Sequence, residues 1–378
     1  MSDQTSSKRI EFSAPREIVI SILQVVGRAI SSRSSVQILS GIYLKAEGKE
    51  VRVSATDMEL SLTAHIEATV ESEGSIVVPG RVLLDIVRVL PPGDVTFSQP
   101  EGENTIEITC GSASYKIHTY DPTDFPNLPS PEIGKIQNIP QAPFLETLKI
   151  VSRASSSDES RPVLTGILVR LSKGRLVMAA TDSYRLSVKE KSIEIPEDLE
   201  IDAILPARAL AEISRIGSGS EKTEELQLVV HENQILIGCE KVWLSTRRID
   251  GQFPNYEQLK PEKFEAEMRA SREELADVTR RVSVLAQQNT AMRLSLSEGQ
   301  LQLRAQTQDI GEAEEAIPVS FSGEPIEIGF NPAFFLEGLE SIQGDEVVLS
   351  LINPLRPGLI SGGEDDFWYL IMPIRLSN

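Results

Sequence analysis

A short pattern recurs three times in this chain at a near-constant interval. Ala55-Thr56-Asp57, followed by Leu60, returns 125 residues later as Ala180-Thr181-Asp182, followed by Arg185-Leu186; a worn copy, Thr307-Gln308-Asp309, comes 127 residues after that. Other landmarks keep the same register. Pro79 matches Pro206 and Pro332, at intervals of 127 and 126, and each opens a helix-like segment. Phe125-Pro126-Asn127-Leu128 returns as Phe253-Pro254-Asn255-Tyr256, and Pro15-Arg16-Glu17 matches Pro143-Phe144-Leu145 and Ser271-Arg272-Glu273, all at 128. Solenoid repeats run about 20–50 residues. A period near 125 therefore describes whole domains, within the usual range of roughly 100–200 residues each. The 378 residues divide into three copies of one domain, at 1–134, 135–262 and 263–378.

One copy reads as about two helices and eight short strands. In the first, Ile18, Ile22, Val25, Val26 and Ala29 form a stripe at helical spacing, with Pro15 suited to the first turn. Alternating segments follow at Ile42–Ala46, Val51–Ala55 and Leu60–Ile66, then a second helix after Pro79 and strands around Val95, Ile106 and Tyr115. Helices and strands both need a partner for their apolar faces, so the expected class is α+β, with the helices covering one side of antiparallel sheets. Pro- and Gly-punctuated links join the copies at Pro129–Pro143 and around Lys260-Pro261.

With 40% hydrophobic and 25% charged residues, the composition is that of an ordinary globular protein. No apolar run approaches the ~20 residues of a membrane span, and the opening residues lack an apolar signal core, so a cytoplasmic protein with no membrane partner is expected. Cys110 and Cys239 occupy equivalent repeat positions and are expected to be separate buried thiols. The net charge of −19 argues against nucleic acid, which is bound through Lys and Arg. The second helix of two copies nonetheless carries a repeated triplet, Arg81, Asp85, Arg88 and Arg208, Glu212, Arg215, while the third has Phe334, Gly338 and Ser341 at those places. A solvated face with weak ion pairs explains either triplet alone; its repetition points to a shared role.

The chain resembles the bacterial sliding clamp, the beta subunit of DNA polymerase III, over essentially its whole length. The residues that carry the resemblance are Ala180–Leu186, Asp124–Leu128, Asp250–Tyr256, Ile328–Asn331 and the terminal Tyr369–Leu376. The resemblance implies three domains of the DNA-clamp fold, two copies of the chain joined head to tail in a six-domain ring, and a nucleoid-associated role. The ring encircles duplex DNA without sequence preference and tethers the replicative polymerase. No cofactor, metal or catalytic residue is implied. A ring held topologically needs few phosphate contacts, and charges beyond the ~8 Å Debye length are screened, so an acidic exterior tolerates a basic lining. Arg33, Arg81, Arg161 and Arg208 are the DNA-contacting positions by resemblance.

The resemblance also implies a pocket for short hydrophobic peptides of polymerases, the clamp loader and repair proteins. The matching positions are Leu164, Thr181, Ser183, Tyr184, Arg185, Leu186, Pro254, Leu259, Asn331, Phe334, Leu355, Leu370, Met372, Pro373, Ile374 and Arg375. Leu, Met, Pro and Ile suit an apolar peptide, while Arg and Asn orient its polar ends; Met allows re-packing around several partners. Ser183-Tyr184 replaces a common Gly-His, and Gln258 a frequent basic residue. Two rival readings remain. An enzyme is disfavoured because Asp57, Asp182 and Asp309 sit one per domain, suited to capping or turning a strand, and His65, His118 and His231 are unclustered. A DNA-free scaffold would use the same repeats and pocket without holding nucleic acid.

Overall fold

The structure, a computed structural model, describes residues 9–31, 36–218, 224–286, 291–308, 310–362 and 366–376. In chain order the first repeat contains β1 (Glu11–Pro15), α1 (Arg16–Val26), β2 (Gly41–Glu47), β3 (Glu50–Thr56), β4 (Leu60–Glu67), β5 (Thr69–Ser72), β6 (Gly74–Pro79), α2 (Gly80–Val89), β7 (Asp94–Ser98), β8 (Thr105–Cys110) and β9 (Ala113–His118). The second contains β10 (Gln137–Pro140), α3 (Gln141–Val151), β11 (Gly166–Ser172), β12 (Arg175–Thr181), β13 (Arg185–Ser192), β14 (Ile201–Pro206), α4 (Ala207–Ser218), β15 (Glu225–Val230), β16 (Gln234–Cys239) and β17 (Val242–Arg247). The third contains β18 (Ala266–Ser271), α5 (Arg272–Ser283), β19 (Met292–Ser297), β20 (Gln300–Thr307), β21 (Gly311–Pro318), β22 (Ser320–Ser322), β23 (Ile326–Phe330), α6 (Pro332–Glu340), β24 (Glu346–Leu351), β25 (Gly358–Ser361) and β26 (Phe367–Ile371).

The chain forms two compact units, Met1–Gln141 with Glu212–Arg248, and Ala142–Ala211 with Ile249–Asn378. The repeats do not coincide with them, because two sheets run on from one repeat into the next. In the first unit an eight-stranded sheet has the order β10-β15-β16-β17-β4-β3-β2-β6; in the second a nine-stranded sheet has the order β14-β11-β12-β13-β26-β25-β24-β18-β22. The central repeat thus contributes one sheet to each unit. A five-stranded sheet, β5-β1-β7-β8-β9, completes the first unit and a four-stranded one, β21-β20-β19-β23, the second. The strand pairs in these sheets are antiparallel.

Helices α1 and α2 pack on each other and on β2, β3, β4 and β6; α5 and α6 pack together, with α5 against β20 and β21. The buried stripe of α1 is Val19, Leu23 and Val26, whereas Ile18 is 43% exposed and Ile22 and Val25 are half-buried. Val26 and Ala29 of the expected stripe are buried, whereas Ile18, Ile22 and Val25 lie one residue off the buried i, i+4, i+7 series of Val19, Leu23 and Val26. Pro15 and Pro79 sit at the N-caps of α1 and α2, while Ser271 and Asn331 cap α5 and α6 with side-chain oxygens. The repeat extends to backbone packing: a Cβ added at Gly41 or at its counterpart Gly166 would collide with the side chain of Val77 or Ile204 respectively. Both cysteines are buried, and neither forms a disulfide. Among the described residues no helix is long and apolar enough to cross a membrane.

Candidate partner-binding site

The Ala-Thr-Asp pattern builds the same turn twice. Thr56 Oγ1 donates to the Leu60 carbonyl and accepts from Met58 N, while Asp57 Oδ1 accepts from Glu59 N and Leu60 N. In the second copy Thr181 Oγ1 donates to the Arg185 carbonyl and accepts from Ser183 N, and Asp182 Oδ1 accepts from Tyr184 N and Arg185 N. These carboxylates hold backbone donors, the expected strand-turn role; Asp309 lies outside the described residues. Both turns force a positive φ, +79° at Met58 and at Ser183, a conformation that glycine adopts without the Cβ penalty. That explains why glycine suits this place and shows what Ser183 tolerates.

In the second unit this turn carries a charged strut. Arg185, only 8% exposed, donates from Nε to Asp182 Oδ2 at 3.1 Å, from Nη1 to Glu337, and from Nη2 to the Arg153 carbonyl at 2.7 Å. Its guanidinium carbon lies 4.2 Å from the centre of the Phe334 ring. Arg185, expected to orient a peptide's polar end, also has an internal role: its donors hold the 181–186 turn on α6. Burial pushes the Tyr369 phenol well above its ordinary pKa, keeping it protonated to donate to the Phe334 carbonyl at 3.0 Å. Asp182 and Glu337, which sequence reasoning did not assign here, complete the strut. Glu337 stands one turn along α6 from Phe334, and that spacing is the signal that was available. Replacing Arg185 by Ala leaves two carboxylates and a carbonyl without their donor; we expect a loss of on the order of 3 kcal/mol, read by chemical denaturation.

Beside the strut runs a strip of expected site residues. β13 pairs with β26, placing Arg185 opposite Ile371 and Leu186 opposite Leu370. Met372 N donates to the Tyr184 carbonyl at 2.8 Å, and Ile374 N to the Gly329 carbonyl at 2.8 Å. Leu186 and Leu370 are buried with Tyr256, Leu359 and Trp368 in one apolar cluster. Thr181 is buried in the turn, Asn331 caps α6, and Pro373 and Ile374 are half-buried. In the same unit, Tyr184 is 61%, Leu259 52%, Leu355 68% and Met372 45% exposed. Four large apolar side chains open to water in one unit are what a peptide site offers before it is occupied. Half-buried Leu164 and exposed Pro254, Ser183 and Arg375 stand on loops and the terminal segment of the same unit.

The arginines expected at DNA are placed differently. Arg33 lies outside the described residues. Arg81 is exposed in the first turn of α2 and makes no ion pair among the described residues; Arg208 is exposed in the first turn of α4. Arg161 is not on a long helix: its Nε donates to Asp158 Oδ2 and its Nη1 to Ser183 Oγ, both at 3.0 Å, which ties it to the 181–186 turn. The repeated triplets also differ. Asp85 and Arg88 are exposed, as a solvated face requires, whereas Glu212 is buried and takes both Arg28, at 3.3 Å, and Arg215. Among the described residues no group of three or more His, Cys, Asp or Glu could hold a metal ion.

Three family models match, described as the N-terminal, central and C-terminal domains of the DNA polymerase III beta subunit, over residues 10–129, 138–255 and 257–375. A beta sliding clamp from Synechocystis sp. is 32% identical, with 94% of this chain and 97% of that protein covered. One from Staphylococcus aureus is 30% identical, covering 97% and 99%. Among solved structures, the DNA polymerase sliding clamp from Bacillus subtilis superposes with a TM-score of 0.92 at 27% identity, covering 98% of this chain and 100% of that one. A sliding clamp from Pseudomonas aeruginosa bound to griselimycin gives 0.88 at 27% identity, covering 97% and 100%. With all three repeats matched in order, the chain belongs to the DNA polymerase III beta subunit family, the bacterial beta sliding clamps.

Proposed function

We propose that two copies of this chain close into a ring around duplex DNA, hold the replicative polymerase to its template, and recruit the clamp loader and repair proteins through the strip on the second unit. Such a clamp is a processivity factor and performs no chemistry. The observation that carries the ring is the sheet topology. β17 joins β4 in the first unit, and β26 joins β13 in the second. The repeat provides one more pair of this kind: β9, the counterpart of β17 and β26, and β21, the counterpart of β4 and β13. Both are left at sheet edges. An unpaired edge is a template for another strand, and β9 of one copy against β21 of the next, made twice, closes a two-membered ring.

The hairpin registers specify how those edges meet. Thr307 opposite Gly311 corresponds to Thr56 opposite Ser61 and to Thr181 opposite Leu186. Cys110 opposite Ala113 corresponds to Cys239 opposite Val242. Carrying over the internal seams puts Ile117 against the partner's Ile310, Lys116 against the partner's Gly311 and Tyr115 against the partner's Glu312. Tyr115 is 37% and Ile310 63% exposed in the single chain; the seam covers both. Light scattering at micromolar concentration should give twice the 41.6 kDa chain mass; a mass of one chain would overturn the ring.

We assign the repeats to 1–134, 135–262 and 263–378, phosphate contacts to Arg33, Arg81, Arg161 and Arg208, and the peptide site to the sixteen positions named from sequence. The protein's place is the cytoplasm, at the nucleoid. Arg81 is the clearest test of a phosphate contact, being exposed without an ion pair among the described residues. Arg81→Ala should lower the slope of log affinity against log salt for a short duplex by about one, with the dimer intact; an unchanged slope removes Arg81 from the DNA surface.

A further inference from the structure

The same outer sheet face occurs in both units, and its chemistry has been inverted between them. In the second unit Leu168, Val177, Ala179, Leu186, Val188 and Leu370 pack into the closed apolar cluster with Trp368. Strand registers identify the counterparts in the first unit. Ser61 opposite Ser245 and Thr63 opposite Trp243 correspond to Leu186 opposite Leu370 and Val188 opposite Trp368. Tyr43 opposite Ser54 corresponds to Leu168 opposite Ala179, and Arg52 opposite His65 to Val177 opposite Glu190. Tyr43 thus stands for Leu168, Arg52 for Val177, Ser54 for Ala179, Ser61 for Leu186, Thr63 for Val188 and Ser245 for Leu370. The tryptophan is kept, as Trp243 for Trp368.

Instead of a closed core, this face of the first unit has a cavity of about 310 Å³, roofed by the 122–132 segment. Arg52, His65, Ser54, Ser61, Thr63 and Ser245 line it, with Tyr43, Phe125 and Trp243 as aromatic walls; the Ser54 and Thr63 hydroxyls bond each other at 3.0 Å, and Ser61 donates to Thr56 Oγ1 at 2.9 Å. Tyr43 and Phe125 stack at 5.1 Å, and the Arg52 guanidinium lies 5.8 Å from the Tyr43 ring centre. Arg52 Nε is buried with no hydrogen-bond partner, and Arg52 makes no ion pair among the described residues. A buried orphan donor costs about 1–3 kcal/mol, and here it borders an opening lined by hydroxyls. Glu132 is the one carboxylate in the lining, and Glu50 holds His65 Nδ1 at 3.3 Å.

We propose that this cavity binds a small oxyanion, a carboxylate or phosphate, on Arg52 and the adjoining hydroxyls, with room for a flat ring against Tyr43, Phe125 and Trp243. The cavity lies wholly within the first unit, so the proposal stands apart from the peptide strip. The protein has two tryptophans, and in a W368F background Trp243 fluorescence reports the cavity alone. The full-length protein is titrated with inorganic phosphate and, separately, with benzoate. The expected result is saturable quenching by at least one of them, weakened about tenfold or more in R52Q and lost in S61L/S245L, which restores the apolar pair of the other unit. Dimer mass verifies that each variant folds, and if one does not, the other decides. No saturation by either anion up to about 20 mM, or saturation that survives R52Q or S61L/S245L, overturns the proposal.

Discussion

Lys116→Pro is expected to turn the dimer into a monomer without unfolding the chain. In the internal seams the residues at this repeat position are Ser245 and Leu370, each facing the neighbouring repeat at Ser61 and Leu186. Two residues further on, Arg247 N donates to the Glu59 carbonyl and Met372 N to the Tyr184 carbonyl, across the seam. Alternation along the strand therefore aims the Lys116 N–H at the partner copy and away from β8. Proline there removes a ladder donor and sets a ring where the partner strand must lie, while the β8–β9 hairpin keeps its own bonds. The cost is on the order of 3 kcal/mol per seam, or about a hundredfold in association at each of two seams. Sedimentation velocity should show the chain mass alone, with thermal unfolding little changed. A dimer of unchanged stability would mean that the copies meet elsewhere.

Met372→Ala, combined with Tyr184→Ala, is expected to abolish peptide binding while leaving the ring closed. Both side chains are exposed in the free chain, and their backbones are joined by the Met372 N to Tyr184 carbonyl bond, so the two truncations remove exposed apolar surface from adjoining strand ends. Fully burying a side chain of this size contributes about 1.5–3 kcal/mol. The pair together should cost a hundredfold or more, about 3 kcal/mol at 1.4 kcal/mol per tenfold. Arg375→Ala, further along the same exposed terminal segment, should weaken the peptide without opening the dimer. Calorimetry with a short peptide carrying Gln and a terminal hydrophobic pair reads both effects, and unchanged affinity would move the site off this strip.

The repeat was legible because spacing is a property of sequence: Ala55-Thr56-Asp57 and Ala180-Thr181-Asp182 needed no geometry to be matched, and they form identical turns. What each copy does with that turn was less legible. Arg185 was placed in the peptide site by resemblance; only the fold brings Asp182, Glu337, Arg153 and Phe334 around it. Glu212 and Asp85 occupy the same place in the repeated triplet, yet one is buried between two arginines and the other is in water. Arg161 was assigned to the DNA-facing set by resemblance alone; its bond to Ser183, which ties it to the turn as well, is visible only in the fold. The polar cavity was invisible for a related reason. Ser61, Thr63 and Ser245 are ordinary strand residues until strand register puts them on one face opposite Trp243.

Encirclement of DNA is a topological property, and retention on a closed circle reads it. The purified clamp is loaded by its loader onto a nicked circular plasmid, passed through a sizing column in high salt, and the plasmid is then cut once. A ring that encircles DNA stays with the circle at a salt concentration that strips ordinary binders and leaves when the circle becomes linear. Encirclement gives retention before the cut, release after it, and no retention of Lys116→Pro. Loss in high salt from the intact circle, or retention after linearisation, would contradict it.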